Sequence, residues 1–514
     1  MRAVRPVSDT AFLVEADGDS LAMLAALQEL PEPGLIELVP GAASVLVRFD
    51  ASKVDRAELH ETLTMLQPAP ESAAEEQEVV VPVLYDGEDL AASARLLGVS
   101  AAELVCRHQA VPWRVLFSGF APGFAYLRAD DELFDTPRRA EPRTRVPAGA
   151  VGLAGRYSGI YPRASPGGWQ LIGRTPLELW SLDRDPPGLL VPGTTVRFEA
   201  DRNPGAFPPP TSPPSAATAS AGPHIEIIQP GLQLLVQDSG RSGWAALGVP
   251  SAGAADRAAL AEANRLVGNR LDAAALELVG GGARLRFSGH AVIALTGALV
   301  EAETADASVP FGEAFAVDDG ETVIIGPAQD GLRTVIGIRG GIDTPAALGS
   351  LSSDTLGGLG PEPLRTGSRL SLHGPAKAPS PVAPPAGPRL SLPCAGEVVT
   401  LRITLGPRDD WFDAASVALL AEQEWDVSAR SDRVGLRLQG AAALQRMIPG
   451  ELDSEGMVRG ALQVPPDGQP VLFMPDHPVT GGYPVIAAVI DQDLDLTAQL
   501  PPGARIRFSL VERT

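Results

Sequence analysis

Short apolar strand patterns set off by Gly and Pro turns run through most of this chain, alternating clearly in Val196-Arg-Phe198 and Ile506-Arg-Phe508, and helical periodicity interrupts only briefly. Residues 1–80 predict the order β-α-β-β-α-β, with strands at 11–16, 35–39, 44–49 and 79–84 and helices near 21–30 and 56–65. Glu58, His60 and Glu61 fall on the polar side of the second helix. This order predicts a ferredoxin-like two-layer α+β domain over 1–80. Two short helical patterns follow at 90–97 and 101–108, and 111–200 is then rich in strands and in Gly and Pro turns. Residues 201–223 are Pro- and Ala-rich and predict a linker. A β domain follows over 224–374, with first strands at 225–228 and 232–237. Its one clear helix has Asp256 as N-cap and Gly268-Asn269 at its end. A second Pro-rich linker over 375–389 precedes a last β segment, 390–514.

Two stretches repeat one pattern. Ser165-Pro-Gly-Gly-Trp169 is followed by Ile172, Pro192-Gly193 and Val196-Arg-Phe198. Thr480-Gly-Gly-Tyr483 is followed by Ile486, Pro502-Gly503 and Ile506-Arg-Phe508. A Gly-Ala step lies upstream of each, at Gly149 and Gly460. Paired glycines let a ligand or another chain approach the backbone, and the aromatic beside them offers a flat apolar face. One β unit is thus expected at least twice. A duplicated barrel corner without chemistry would show the same pattern.

Composition narrows the chemistry. The 514 residues predict several domains, and 54 Gly with 49 Pro favour loop-rich β structure over a helical bundle. A net charge of −22 argues against nucleic acid and anionic membranes as partners. No apolar run is long enough to span a bilayer, and the N-terminus lacks a signal-peptide core, so a cytoplasmic protein is expected. Cys106 and Cys394 are the only cysteines; they form no metal-ligand spacing, and no metal site is expected. Lys53 and Lys377 are the only lysines, one in a polar N-terminal segment and one in a Pro-rich stretch. That excludes a lysine phosphate loop and a biotin-carrying lysine, and disfavours a Schiff base. Phosphate would have to meet arginine, backbone N–H groups or a partner.

Several polar and aromatic groups are candidates for a site. The run Phe117 to Tyr126 interleaves Phe120, Pro122, Gly123, Phe124 and Tyr126 with small residues, which suits a loop closing over a small or flat ligand. His108 lies upstream of it, and Tyr161, Ser165 and Arg174 bracket Gly167, Gly168 and Trp169. Asn264 is polar on the apolar stripe of Leu260, Ala263 and Val267; it either ties down a loop or lines a pocket. Asp238 and Arg241 share one turn, and Arg433 sits in a similar Ser-Asp-Arg step. Asp476 and His477 precede Thr480, Gly481, Gly482 and Tyr483. Carboxylates beside histidines can transfer protons, and Asp–Arg pairs more often clamp structure. His108, Asp238, Arg241 and Asp476 are the catalytic candidates; Phe120, Pro122, Gly123, Phe124, Tyr126, Tyr161, Ser165, Gly167, Gly168, Trp169, Arg174, Asn264, Arg433, Thr480, Gly481, Gly482 and Tyr483 are the candidates for binding.

These motifs resemble a known family. Gly119-Phe-Ala-Pro-Gly-Phe-Ala-Tyr-Leu127, Val146-Pro-Ala-Gly149, Gly159-Ile-Tyr-Pro162 and Ser165 to Arg174 are similar to the B subunit of 5-oxoprolinase, also known as the sporulation-kinase inhibitor or allophanate hydrolase subunit 1 family. Gln229-Pro-Gly-Leu-Gln233, Val236-Gln-Asp-Ser-Gly-Arg241, Gly248-Val-Pro250, Ala263-Asn264, Ser431-Asp-Arg433 and Thr480-Gly-Gly-Tyr-Pro484 are similar to the C subunit of the same enzyme. The resemblance implies cyclophilin-like β-barrels in 81–200, within the B-like half, and in 224–374 and 390–514, the C-like half. It implies ATP, with or without Mg, the separate A subunit of 5-oxoprolinase in the role of partner, and the opening of 5-oxoproline to glutamate. A homo-oligomer is compatible with it. Arg174, Arg241 and Arg433 become candidates for anion contacts, and the Gly-Gly loops for backbone donors. The same modules occur in the carboxyltransferase part of urea carboxylase, where biotin would ride on another chain. A regulator that inhibits a histidine kinase is the non-enzymatic alternative.

Overall fold

The structure, a computed structural model, describes residues 3–16, 18–69, 77–203, 222–385, 387 and 392–511. Most of the linker expected at 201–223 and the end of the one expected at 375–389 lie outside these residues. The chain is mostly β, in barrel-like sheets joined by a smaller α+β unit.

The N-terminal unit is an antiparallel sheet in the order Val4–Ser8, Ala11–Glu15, Ser44–Phe49, Leu35–Pro40. Helices Ser20–Gln28 and Arg56–Met65 cover one face; each starts on an aspartate, Asp19 or Asp55, that accepts two backbone N–H bonds. Phe12, Val14, Val45 and Val47 point to these helices. Ala11, Leu13, Val39 and Leu46 point the other way, into a cluster with Met457, Phe473 and Val479 of the last barrel. Burial on both faces explains the unbroken apolar run Ala11 to Val14. The two-layer unit differs from expectation in one strand. Glu78–Val83 leaves it and pairs in parallel with Thr195–Ala200, while the hairpin strand Val4–Ser8 takes the edge. Alternation specifies which face is buried, not which sheet a strand joins. Val81 and Val83 complete the core of the following barrel.

The anticipated duplication is present at the level of topology. In the first barrel the strands run Gln170–Arg174, Ala150–Ala154, Tyr157–Ile160, Ala125–Arg128, Trp113–Ser118, Thr195–Ala200, Glu78–Val83. A bridge between Leu84 and Arg174 links the two ends. The last barrel is closed and has the same order: Val398–Leu405, Val485–Val489, Ala461–Gln463, Val471–Phe473, Gly435–Gly440, Glu424–Val427, Arg505–Leu510. In both, the final strand pairs in parallel with the opening one. In both, a tryptophan in the strand after a helix donates its indole N–H to a carbonyl at that helix's end, Trp113 to His108 and Trp425 to Leu420, each at 3.0 Å.

Between them lies a nine-stranded sheet packed with helix Arg257–Val267. Asp256 caps this helix by accepting from the Ala259 N–H, and Gly268 ends it at φ 74°. Among the described residues no helix is long and apolar enough to cross a membrane.

Candidate functional site

The two Gly-Gly motifs meet where the first barrel packs against the last. A cavity of ≈ 290 Å³ lies there, walled by Phe120, Phe124, Tyr126, Tyr161 and Trp169, with Gly167 and Gly168 on one side. Glu451 and Tyr483 of the last barrel close it. The aromatic wall is held edge to face: Phe124 to Tyr161 at 5.1 Å, Phe124 to Trp169 at 5.2 Å and Tyr126 to Trp169 at 5.4 Å. Phe120 adopts φ 66°, a left-handed conformation costly for a side chain of this size, and the residue stays 37% exposed. Pro122 and Gly123 (φ 76°) complete the turn behind Phe124, and a Cβ at Gly123 would press on the Trp180 ring.

The glycines have distinct roles. A Cβ at Gly167 would overlap the Tyr161 hydroxyl, whereas one at Gly168 would meet nothing nearer than Pro142 at 3.9 Å. Thr480 packs so closely on Gly119 that any side chain at Gly119 would overlap its hydroxyl. A Cβ at Gly481 would crowd Gln463, and one at Gly482 would lie 3.1 Å from the Leu452 carbonyl. Ser165 begins the short strand Ser165–Gly167 and pairs with Val146.

Three charged residues complete the cavity without having stood out in the sequence: Arg138, Arg139 and Glu451. Arg139 is anchored, its Nη1 donating to Asp89 Oδ1 at 2.9 Å. Asp89 also accepts from Arg143 at 2.9 Å and from the Leu171 N–H at 2.8 Å. Burial raises the Asp89 carboxyl, and these donors more than reverse it, so its pKa ends below the usual value. Arg138 is exposed and only 4.0 Å from the exposed Glu451, so its donors are free for a ligand. Burial pushes the Tyr161 hydroxyl up to about 12 against a hydrogen bond from the Trp169 backbone, so it acts as a neutral phenol. The available chemistry is a small slot with aromatic walls, a largely polar exposed lining and a guanidinium at its mouth, suited to a compact ring carrying an anionic group.

The remaining candidates lie elsewhere. His108 is enclosed in the first barrel's core, Nδ1 2.8 Å from Tyr85 Oη and Nε2 3.0 Å from Ser158 Oγ. Burial lowers its pKa to about 3, so it is neutral. Arg174 faces outward and pairs with Asp86. Asn264 donates to the Ala273 carbonyl at 2.7 Å and accepts from Asn269 at 3.1 Å, tying down the loop after its helix. Asp238 accepts from Ser350 Oγ, Ser352 Oγ, Leu351 N and Gly240 N at 2.5–2.8 Å. Arg241 donates to the Ala347 and Ser352 carbonyls. Arg433 donates to Glu277 at 2.6 Å and to both oxygens of Asp476 at 2.9 and 3.1 Å. Asp238, Arg241, Arg433 and Asp476 are all buried; Arg433 on Glu277 and Asp476 on Thr355 join the middle unit to the last barrel, whereas Asp238 and Arg241 tie down residues 347–352 within the middle unit. Asp354 lies against them, 3.9 Å from Arg241. Its burial, with Asp476 nearby, raises its pKa to about 7. Among the described residues no cluster of His, Cys, Asp and Glu has the makings of a metal site.

Residues 2–190 match the family described as carboxyltransferase domain, subdomain C and D, and residues 247–510 match carboxyltransferase domain, subdomain A and B. The chain is 38% identical over 292 residues to the 5-oxoprolinase C subunit of Escherichia coli (strain K12), covering 55% of this chain and 90% of that protein. It is 42% identical over 170 residues to the 5-oxoprolinase B subunit of Escherichia coli O157:H7, covering 32% of this chain and 78% of that protein. The crystal structure of TTHA0988 superimposes with a TM-score of 0.85 at 35% identity, covering 97% of this chain and 99% of that one.

Proposed function

The chain belongs to the carboxyltransferase-domain family and carries the C/D and A/B parts in one polypeptide; from that premise we propose that it is the fused B/C subunit of an ATP-dependent 5-oxoprolinase. The observation that carries this reading is the composition of the aromatic cavity. Phe120, Phe124, Tyr161 and Trp169 come from the half similar to the B subunit, and Glu451 and Tyr483 from the half similar to the C subunit. A site of this kind requires both halves, as does an activity that relatives divide between subunits.

5-Oxoproline is a five-membered lactam with one carboxylate. Its ring is of a size for the slot walled by Phe120, Phe124, Tyr161 and Trp169, with Arg138 at the mouth as the candidate partner of the carboxylate. An unstrained amide resists water, so the carbonyl oxygen must be activated before the C–N bond is cut. ATP supplies that activation in this reading, and the separate A subunit of 5-oxoprolinase makes up the rest of the enzyme in the cytoplasm. The protein's own contribution is to seat the ring, fix the carboxylate and shield the reacting carbonyl from bulk water.

Release of glutamate and ADP from 5-oxoproline and ATP, assayed with and without the A subunit, tests the proposal. Turnover in the mixture is the expected result. A complex that forms yet releases neither product overturns it and turns attention to carboxyl transfer from a biotin on another chain.

A further inference from the structure

A second cavity, of ≈ 720 Å³, opens beside the aromatic one and shares Arg138 and Glu451 with it. Its floor is the paired strands Ala125–Arg128 and Tyr157–Ile160, in which Tyr157 lies opposite Arg128. Arg156 precedes Tyr157, so Arg128, Arg138 and Arg156 all border one space. Among the described residues, Arg128 and Arg156 have no carboxylate or carbonyl partner, and Arg138 has only its 4.0 Å approach to Glu451. Each guanidinium therefore keeps its fork of donors for something that enters. Backbone lines the space as well: Gly18 and Gly155 both have positive φ, with nothing within 4 Å of where a Cβ would stand. Carboxylates occupy the rim, at Asp135, Glu451 and Asp453. A bare polyanion would meet repulsion at that rim, whereas one carrying a divalent cation presents both signs.

We infer that this outer cavity binds an oligophosphate chain together with its divalent cation, with Arg128 and Arg156 on the phosphate oxygens. The inference rests on the 5-oxoprolinase reading only for which phosphate compound is used. The recognised chemistry is the phosphate chain itself, from a nucleotide or another source. Arg138, bordering both cavities, places the end of that chain next to a ligand in the aromatic slot. A lysine-poor chain thereby handles phosphate with arginine forks.

The test is titration calorimetry on the full chain with Mg²⁺ present throughout, using tripolyphosphate, ATP and adenosine as probes. Wild type is compared with the double variant Arg128→Gln/Arg156→Gln and with Arg430→Gln, which lines neither cavity. Binding of tripolyphosphate and ATP, weakened at least tenfold in the double variant and unchanged in Arg430→Gln, is expected. Equal affinity in wild type and double variant overturns the inference, as does competition by adenosine without competition by tripolyphosphate. Absence of oligophosphate binding to wild type also overturns it. The lactam reading is followed separately through quenching of tryptophan fluorescence by 5-oxoproline that is present in wild type and lost in Trp169→Phe, since the chain holds six tryptophans. Quenching without phosphate binding removes the outer site alone, and phosphate binding without quenching removes the lactam reading alone.

Discussion

Gly167 and Gly168 are adjacent and serve opposite ends. Gly167 makes room for the Tyr161 hydroxyl inside the wall, and Gly168 makes room for the cavity itself. Gly167→Ala should therefore cost about 1–3 kcal/mol of stability through overpacking, read as a lower urea midpoint. Gly168→Ala should leave that midpoint in place and lower kcat/KM for 5-oxoproline at least about tenfold, because its methyl group enters ligand space. A second residue-scale prediction concerns pH. The Asp354 carboxyl releases its proton near its ordinary value of 3.8 in the unfolded chain but keeps it to about 7 when folded. Between those limits the folded state holds the extra proton, so this group's contribution to stability falls as pH rises from about 4 to about 7 and levels off above. Asp354→Asn should remove that decline, seen as a smaller drop in Tm between pH 5 and pH 8 than in wild type. At this scale the aromatic and glycine positions of the cavity were readable, since their spacing and residue types are unusual in themselves. Arg138, Arg139 and Glu451 were not, because arginines and glutamates in a polar loop look the same whether they face solvent or a cavity.

Contacts between elements depend on a few ion pairs as well as on strand pairing. Arg408 holds the strand at Glu455 to the N-terminal sheet: it donates to both oxygens of Glu455 and to Glu15, which also accepts from Arg5. Burial raises the Glu455 carboxyl and Arg408 opposes that rise. Arg408→Ala leaves Glu455 buried without its partner and should cost about 3–5 kcal/mol in chemical denaturation. The double change Arg408→Met/Glu455→Met should recover much of that loss, since neither charge is then left alone. Element existence was largely legible, including helix Arg257–Val267 with both its caps and the duplicated return strands. The allegiance of Glu78–Val83 was not. A valine-rich strand fits any sheet with a vacant edge, and only the three-dimensional closure with Thr195–Ala200 decides it.

Across the whole molecule, the two halves share one hydrophobic cluster. Val7, Leu13, Val39 and Leu46 of the first half are buried with Ala245, Met457, Phe473 and Val479 of the second. Fragments 1–203 and 222–514, produced together in one cell, should co-purify as a stable pair, and fragment 1–203 produced alone should aggregate through that uncovered face. Two fragments that elute separately would show that the shared cluster is not an autonomous interface. The division into halves was legible from the Pro-rich seam and from motifs similar to two different subunits. Their mutual contact was hidden, because an unbroken apolar run such as Ala11 to Val14 signals two covered faces without saying what covers the second.

That shared cluster gives the covalent junction a kinetic meaning. For separate subunits, the fraction with an assembled cavity falls on dilution. For one chain, the encounter is intramolecular, with an effective concentration on the order of millimolar when the connection is short. Specific activity of the intact chain should then stay level as it is diluted against a saturating amount of the separate partner, while the cut pair fades once its concentration drops below the dissociation constant of the cluster.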